Sequence, residues 1–163
     1  MSTMEQNYQT VLVGIDGSEQ AKEAFEKAVE VARRNNGKVI VAAVIEPQLP
    51  TTMGYTPLSD SILDKEEDEA KEMIQEAKEY AASVSFNNVE GVVAFGSAKT
   101  ALARELPKKY QVDLVMVGQS GLNAVERFMT GSVASYIIRE APCDVLVVTP
   151  THKEKRLTQK SLE

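Results

Sequence analysis

The chain predicts an α/β fold, an open parallel sheet of five strands in the order 3-2-1-4-5 with helices on both faces. Short apolar runs recur along it, bounded by Gly, Asp or Pro. Amphipathic stretches at helical spacing lie between them. The two kinds of segment alternate from the first run to the last, the pattern of strands joined by crossover helices.

The elements follow in order. Thr10 to Ile15 reads as the first strand, ended by Asp16-Gly17-Ser18, with Ser18 as N-cap of the next helix. In that helix Ala21, Ala24, Phe25, Ala28, Val29 and Ala32 form one apolar stripe, and Asn36-Gly37 closes it. Lys38 to Ile45 is the second strand. From Glu46 to about Leu58 the composition shifts to Pro, Thr, Gly and Gln, which reads as a mobile surface loop long enough to act as a lid. A long helix from about Ser59 to Ser83 carries the stripe Ala70, Met73, Ile74, Ala77, Tyr80, Ala81 and Val84. The acidic run from Asp64 to Glu69 reads as a solvated face, because metal ligands must converge and these fan around a helix. Val89 to Phe95 is the third strand, and a helix with Ala98, Ala101, Leu102 and Leu106 inward runs to about Tyr110. The fourth strand, Leu114 to Val117, meets a glycine loop. The last helix places Ala134, Ile137, Ile138 and Ala141 on one side, and Cys143 to Thr149 is the fifth strand.

Composition narrows the function. The chain has 163 residues, 43% hydrophobic and 26% charged, which suits one globular domain over 1–150 followed by a charged tail, 151–163. A net charge of −6 without a basic block disfavours nucleic-acid binding. No apolar run approaches the roughly 20 residues of a membrane span, and the polar start MSTMEQN does not read as a signal peptide. One cysteine, Cys143, allows no intramolecular disulfide, so a reducing, cytoplasmic setting is expected. Cys143 itself reads as a small apolar residue at a strand start. His152, the sole histidine, lies in the charged tail and is given no catalytic role.

The stretch Gly118 to Ser132, GQSGLNAVERFMTGS, carries the chemistry. It lies between a buried strand and a helix, with Gly118, Gly121 and Gly131 in the pattern G-x2-G-x9-G-S. Gly118 would turn the chain where a Cβ would clash, and Gly121 would allow a close approach of backbone to ligand. Gly131 and Ser132 open a helix whose free N–H groups suit an anion. The pattern is neither the dinucleotide fingerprint nor the Walker loop, and taken alone it is equally an ordinary turning loop. In the order 3-2-1-4-5 the winding reverses between the first and fourth strands. Ligands of open α/β sheets bind outside the carboxyl ends of the strands at such a point. Asp16 and Gly118 would meet there.

VLVGIDGS near the start, VAAVIEP after the second strand, the glycine pattern and SVASYIIREAPCDVLVV at the end resemble the universal stress protein family. The resemblance covers roughly Tyr8 to Thr149, with the motifs in order. It implies a Rossmann-like five-stranded sheet of the same order, a homodimer and, where the glycine motif is intact, ATP binding. It also implies roles. Asp16, with Gly17 beside it, would sit by adenine and ribose, and Val44 would line the adenine pocket. Gly118, Gly121, Gly131 and Ser132 would hold ribose and phosphates, with an N–H from Val133. Departures are Gln119, Ser120 and Leu122 where basic residues are common, leaving Arg127 as the nearest cation in the loop, and Asp144 where a proline is common.

The expected function is an ATP-binding, dimeric regulator of the stress response with little or no turnover, Mg²⁺ being held through the phosphates. Two alternatives stand. One is a slow ATP-hydrolysing or nucleotidyl-transferring enzyme, which would need a general base or more cations than Arg127. The other is a dimeric interaction module without nucleotide. The dimer is expected through the Cys143–Thr149 strand, whose run Val145-Leu146-Val147-Val148 would leave an unprotected sheet edge; the tail would cross the partner.

Overall fold

The computed structural model describes residues 7–119 and 133–149. Strand β1 (Thr10–Ile15) leads into α1 (Glu19–Arg34) and β2 (Lys38–Ile45). After β2 come β3 (Gln48–Thr51) and β4 (Gly54–Pro57), then α2 (Asp60–Ser83) and β5 (Val89–Phe95). A helical stretch follows in three parts: α3 (Ala98–Thr100), a wide π-turn (Ala101–Glu105) and α4 (Leu106–Tyr110). Strand β6 (Leu114–Gly118), helix α5 (residues 133–140) and β7 (Asp144–Val148) complete the described chain.

The main sheet has five strands in the order β5-β2-β1-β6-β7, every neighbouring pair parallel. Numbered over its own strands alone, that order is 3-2-1-4-5. The central strands β2, β1 and β6 are apolar on both sides because helices cover both sides, while the outer strands β5 and β7 are less buried. Val11, Val13, Val39, Val41, Leu114 and Met116 pack under α1 and α2. Leu12, Ile40, Ala42 and Val115 pack against the α3–α4 stretch and Ile137 of α5. The six stripe residues expected in α1 are all buried there.

Several expectations need correction. The segment after Glu46 is not a loop: β3 and β4 form an antiparallel hairpin, with Thr51 opposite Gly54 at its tip. The Thr51 hydroxyl donates to the Gly54 carbonyl at 3.1 Å, and Leu58 N donates to Pro47 O at 2.9 Å to close the base. Its prolines are compatible with a two-stranded ribbon, where each strand keeps an unpaired edge. The end of α1 is as expected: Asn36 takes the left-handed conformation (φ 52°) and the Gly37 N–H returns to Ala32 O at 2.8 Å. The helix before β6 is interrupted because Pro107 has no N–H to donate; Leu106 N bonds Ala101 O instead, five residues back, and the turn widens. That widening buries Ala103, which a regular stripe leaves out. In α5, Ile137 is buried but Ile138 is 56% exposed. The tail 151–163 lies outside the described residues, as does its expected contact with a partner.

Candidate functional site

The turn after β1 is built by three consecutive residues. Asp16 Oδ1 accepts the Ser18 N–H at 2.9 Å, a local bond that fixes the chain direction. Gly17 takes φ +86°, a conformation that side chains disfavour. Ser18 is extended, and its Oγ accepts the Ala21 N–H at 3.2 Å, capping α1. Asp16 and Gly17 are exposed at the carboxyl end of β1. Among the described residues the second carboxylate oxygen of Asp16 has no hydrogen-bond partner. Turn-former and ligand contact are therefore compatible roles for one side chain.

Gly118 stands where expected, but for a different reason. It does not turn the chain; it is the last residue of β6, paired with Val148, and Gln119 N continues to Val148 O at 2.7 Å. A Cβ on Gly118 would lie 2.5 Å from the Gln20 carbonyl oxygen. The glycine lets the end of β6 press against the first turn of α1, directly after the Asp16–Ser18 turn. The two segments are thereby held together at the point where the winding reverses.

Val44 is half-buried near the end of β2, on the sheet face covered by the α3–α4 stretch and α5, in one apolar cluster with Val117 and Val133. Val133 is half-buried at the start of α5. Glu46, which the sequence did not single out, accepts the Ala98 N–H at 3.2 Å through Oε1, and Gly96 N donates to Ile45 O at 2.9 Å. These bonds tie the end of β2 to the start of α3. No local signal was present, since a Glu before a proline and a helix N-terminus some fifty residues later form no motif. Gly121, Arg127, Gly131 and Ser132 lie outside the described residues.

The described part of the site thus offers a carboxylate, exposed backbone at a tight turn and an apolar wall. Such a set suits a ligand with hydroxyl or amine donors and a flat apolar ring. Cys143, half-buried at the opposite end of the sheet, has its thiol pushed up first by burial and then by Asp144 and Asp113, so it is a poor nucleophile. Among the described residues no group of three or more His, Cys, Asp or Glu is placed to hold a metal ion, and no helix is long and apolar enough to cross a membrane.

A doubly wound parallel sheet with turns converging at its switch point defines the Rossmann-like class of α/β proteins. The universal stress protein family model matches residues 7–149. A universal stress protein of Staphylococcus haemolyticus is 41% identical over 141 residues, 86% of this chain and 84% of the relative. Among solved structures, UspA from Lactobacillus plantarum superposes with a TM-score of 0.72 at 27% identity, covering 87% of this chain and 98% of that one. A universal stress protein crystallised in complex with cAMP superposes with a TM-score of 0.64 at 28% identity, covering 87% and 97%. The chain belongs to the universal stress protein family.

Proposed function

We propose that this protein binds an adenine nucleotide, ATP with Mg²⁺, at the carboxyl ends of β1 and β6, and acts as a dimeric nucleotide-dependent regulator with little or no turnover. The observation that carries the reading is the contact between the Gly118 position and Gln20, which brings the Asp16–Gly17–Ser18 turn beside the strand leading into the glycine pattern. The structural relative with cAMP supports an adenine ligand in this fold. Asp16 would take ribose or adenine donors, Gly17 would leave the turn open and Val44 would face the base. Gly118 would border the sugar, while Gly121, Arg127, Gly131, Ser132 and the Val133 N–H would take the phosphates. Mg²⁺ would shield the phosphate charge that one loop cation leaves unbalanced.

Denaturing the purified protein and identifying any nucleotide released by mass spectrometry tests this. An adenine nucleotide near one per chain is expected. A protein that carries none and takes up none when incubated with excess Mg-ATP contradicts the reading. The dimer is supported by β7, an outer strand of the sheet, where Leu146 and Val147 are 39% and 36% exposed. Ile138 of the preceding helix is exposed as well. Light scattering coupled to gel filtration is expected to give twice the chain mass, and Val147→Pro to reduce it by removing a ladder donor.

A further inference from the structure

The long helices α1 and α2 do not close against each other along their whole length. Where α1 begins they leave a cleft of about 350 Å³, on the face of the sheet opposite Val44. That is the size of a small-ligand pocket. Its apolar lining includes Ile15, Phe25, Met73, Ala77 and Tyr80. Met73, Ala77 and Tyr80 belong to the apolar stripe of α2, yet stay only half-buried while Ala70, Ile74 and Ala81 of the same stripe are covered. Alanines at positions 21 and 77 keep the gap open. Phe25 and Tyr80 meet edge to face with centroids 6.2 Å apart, giving two aromatic rings in one small space.

The cleft is acidic on balance. Glu26 and Glu76 line it against one cation, Lys22, which lies 3.5 Å from Glu19. Burial first, and then the fields of Glu26 and Glu30, push the Tyr80 hydroxyl up from its ordinary value, while Arg33 opposes them. Aromatic rings under carboxylates bind cations with an apolar body, because the ring faces and the carboxylates both attract positive charge.

We propose that the α1–α2 cleft is a binding site for a small organic cation, an ammonium group carried on an aromatic or compact apolar body. The ammonium sits between Glu26 and Glu76, and the body rests on Tyr80, Phe25 and Met73. No assigned nucleotide contact other than Gly17 borders this cleft.

The test is a titration of the isotope-labelled full chain with 2-phenylethylammonium, followed by amide chemical shifts, with 2-phenylethanol and 3-phenylpropionate as neutral and anionic counterparts. It is run without nucleotide, so its outcome bears on the cleft alone. The ammonium is expected to shift the amides of Ser18, Lys22, Met73 and Ala77 and to bind about tenfold more tightly than the alcohol, with the carboxylate weakest. Glu26→Gln with Glu76→Gln should reduce that advantage to about twofold while leaving the spectrum otherwise folded. Ala77→Phe, which fills the gap, should remove binding. The proposal is overturned if about 10 mM of the ammonium moves no cleft amide, if it moves only amides elsewhere, if the anion binds as well, or if the double charge variant keeps the full preference.

Discussion

Gly17 and Gly118 stand on either side of the switch point, and they are glycines for different reasons. At Gly17 the backbone is the constraint: φ is +86°, and an added Cβ would meet nothing closer than the Met73 sulfur at 3.4 Å, an ordinary contact. At Gly118 space is the constraint: the backbone is that of a strand, and a Cβ would lie 2.5 Å from a backbone oxygen of α1. The first glycine shapes a turn. The second welds a strand end to a helix. A glycine motif read as ligand-binding therefore contains at least one position whose first duty is packing.

The comparison can be broken by substitution. Gly118→Val is expected to have the largest effect, about 3 kcal/mol of stability, because backbone rather than a flexible side chain must move. Loss of nucleotide binding in that variant would follow from damage to the fold as much as from steric overlap with ligand. Gly118→Ala should cost about 2 kcal/mol and Gly17→Ala about 1 kcal/mol, read from denaturant midpoints at constant slope. If Gly17→Ala proves the more damaging, the assignment of the two roles is reversed. Ser18→Ala removes the cap on α1 and should cost about 1 kcal/mol. Asp16→Asn keeps an oxygen for the Ser18 N–H and should cost less than about 0.5 kcal/mol.

A smaller effect sharpens the contrast between the two ends of the sheet. Burial raises the Cys143 thiol above its ordinary value, so it stays protonated at neutral pH. Its reaction with iodoacetamide should be slower than that of free cysteine at pH 7.5, and should rise to the free rate in denaturant. Because the shift is upward, any stability it contributes is present below the unfolded thiol value and is lost as pH rises through the folded one.

Much of the fold was legible because local chemistry and global position agree. β1 and β5 have the bounds their apolar runs suggest, and Ser18 caps its helix as Ser before an amphipathic stretch should. What escaped has no single local signal. The β3–β4 hairpin hides in a segment rich in Pro and Thr, whose pairing depends on a glycine tip (Gly54, φ +122°) rather than on alternating burial. The π-turn at Ala101–Glu105 follows from one missing N–H at Pro107, which shifts the helical period. In the site, Asp16 and Gly17 were legible as a turn at a switch point. The packing reason for Gly118 was not, since it depends on the carbonyl of Gln20, ninety-eight positions earlier in the chain.

The most direct measurement is a calorimetric titration of the wild-type protein and Asp16→Asn with Mg-ATP, with thermal unfolding of both recorded alongside. The account predicts wild-type binding tighter than about 1 mM and at least a tenfold loss in the variant, at an unchanged midpoint of unfolding. Wild-type protein that gives no binding heat, or a variant that binds as tightly as wild type, contradicts the assignment of the nucleotide to this turn.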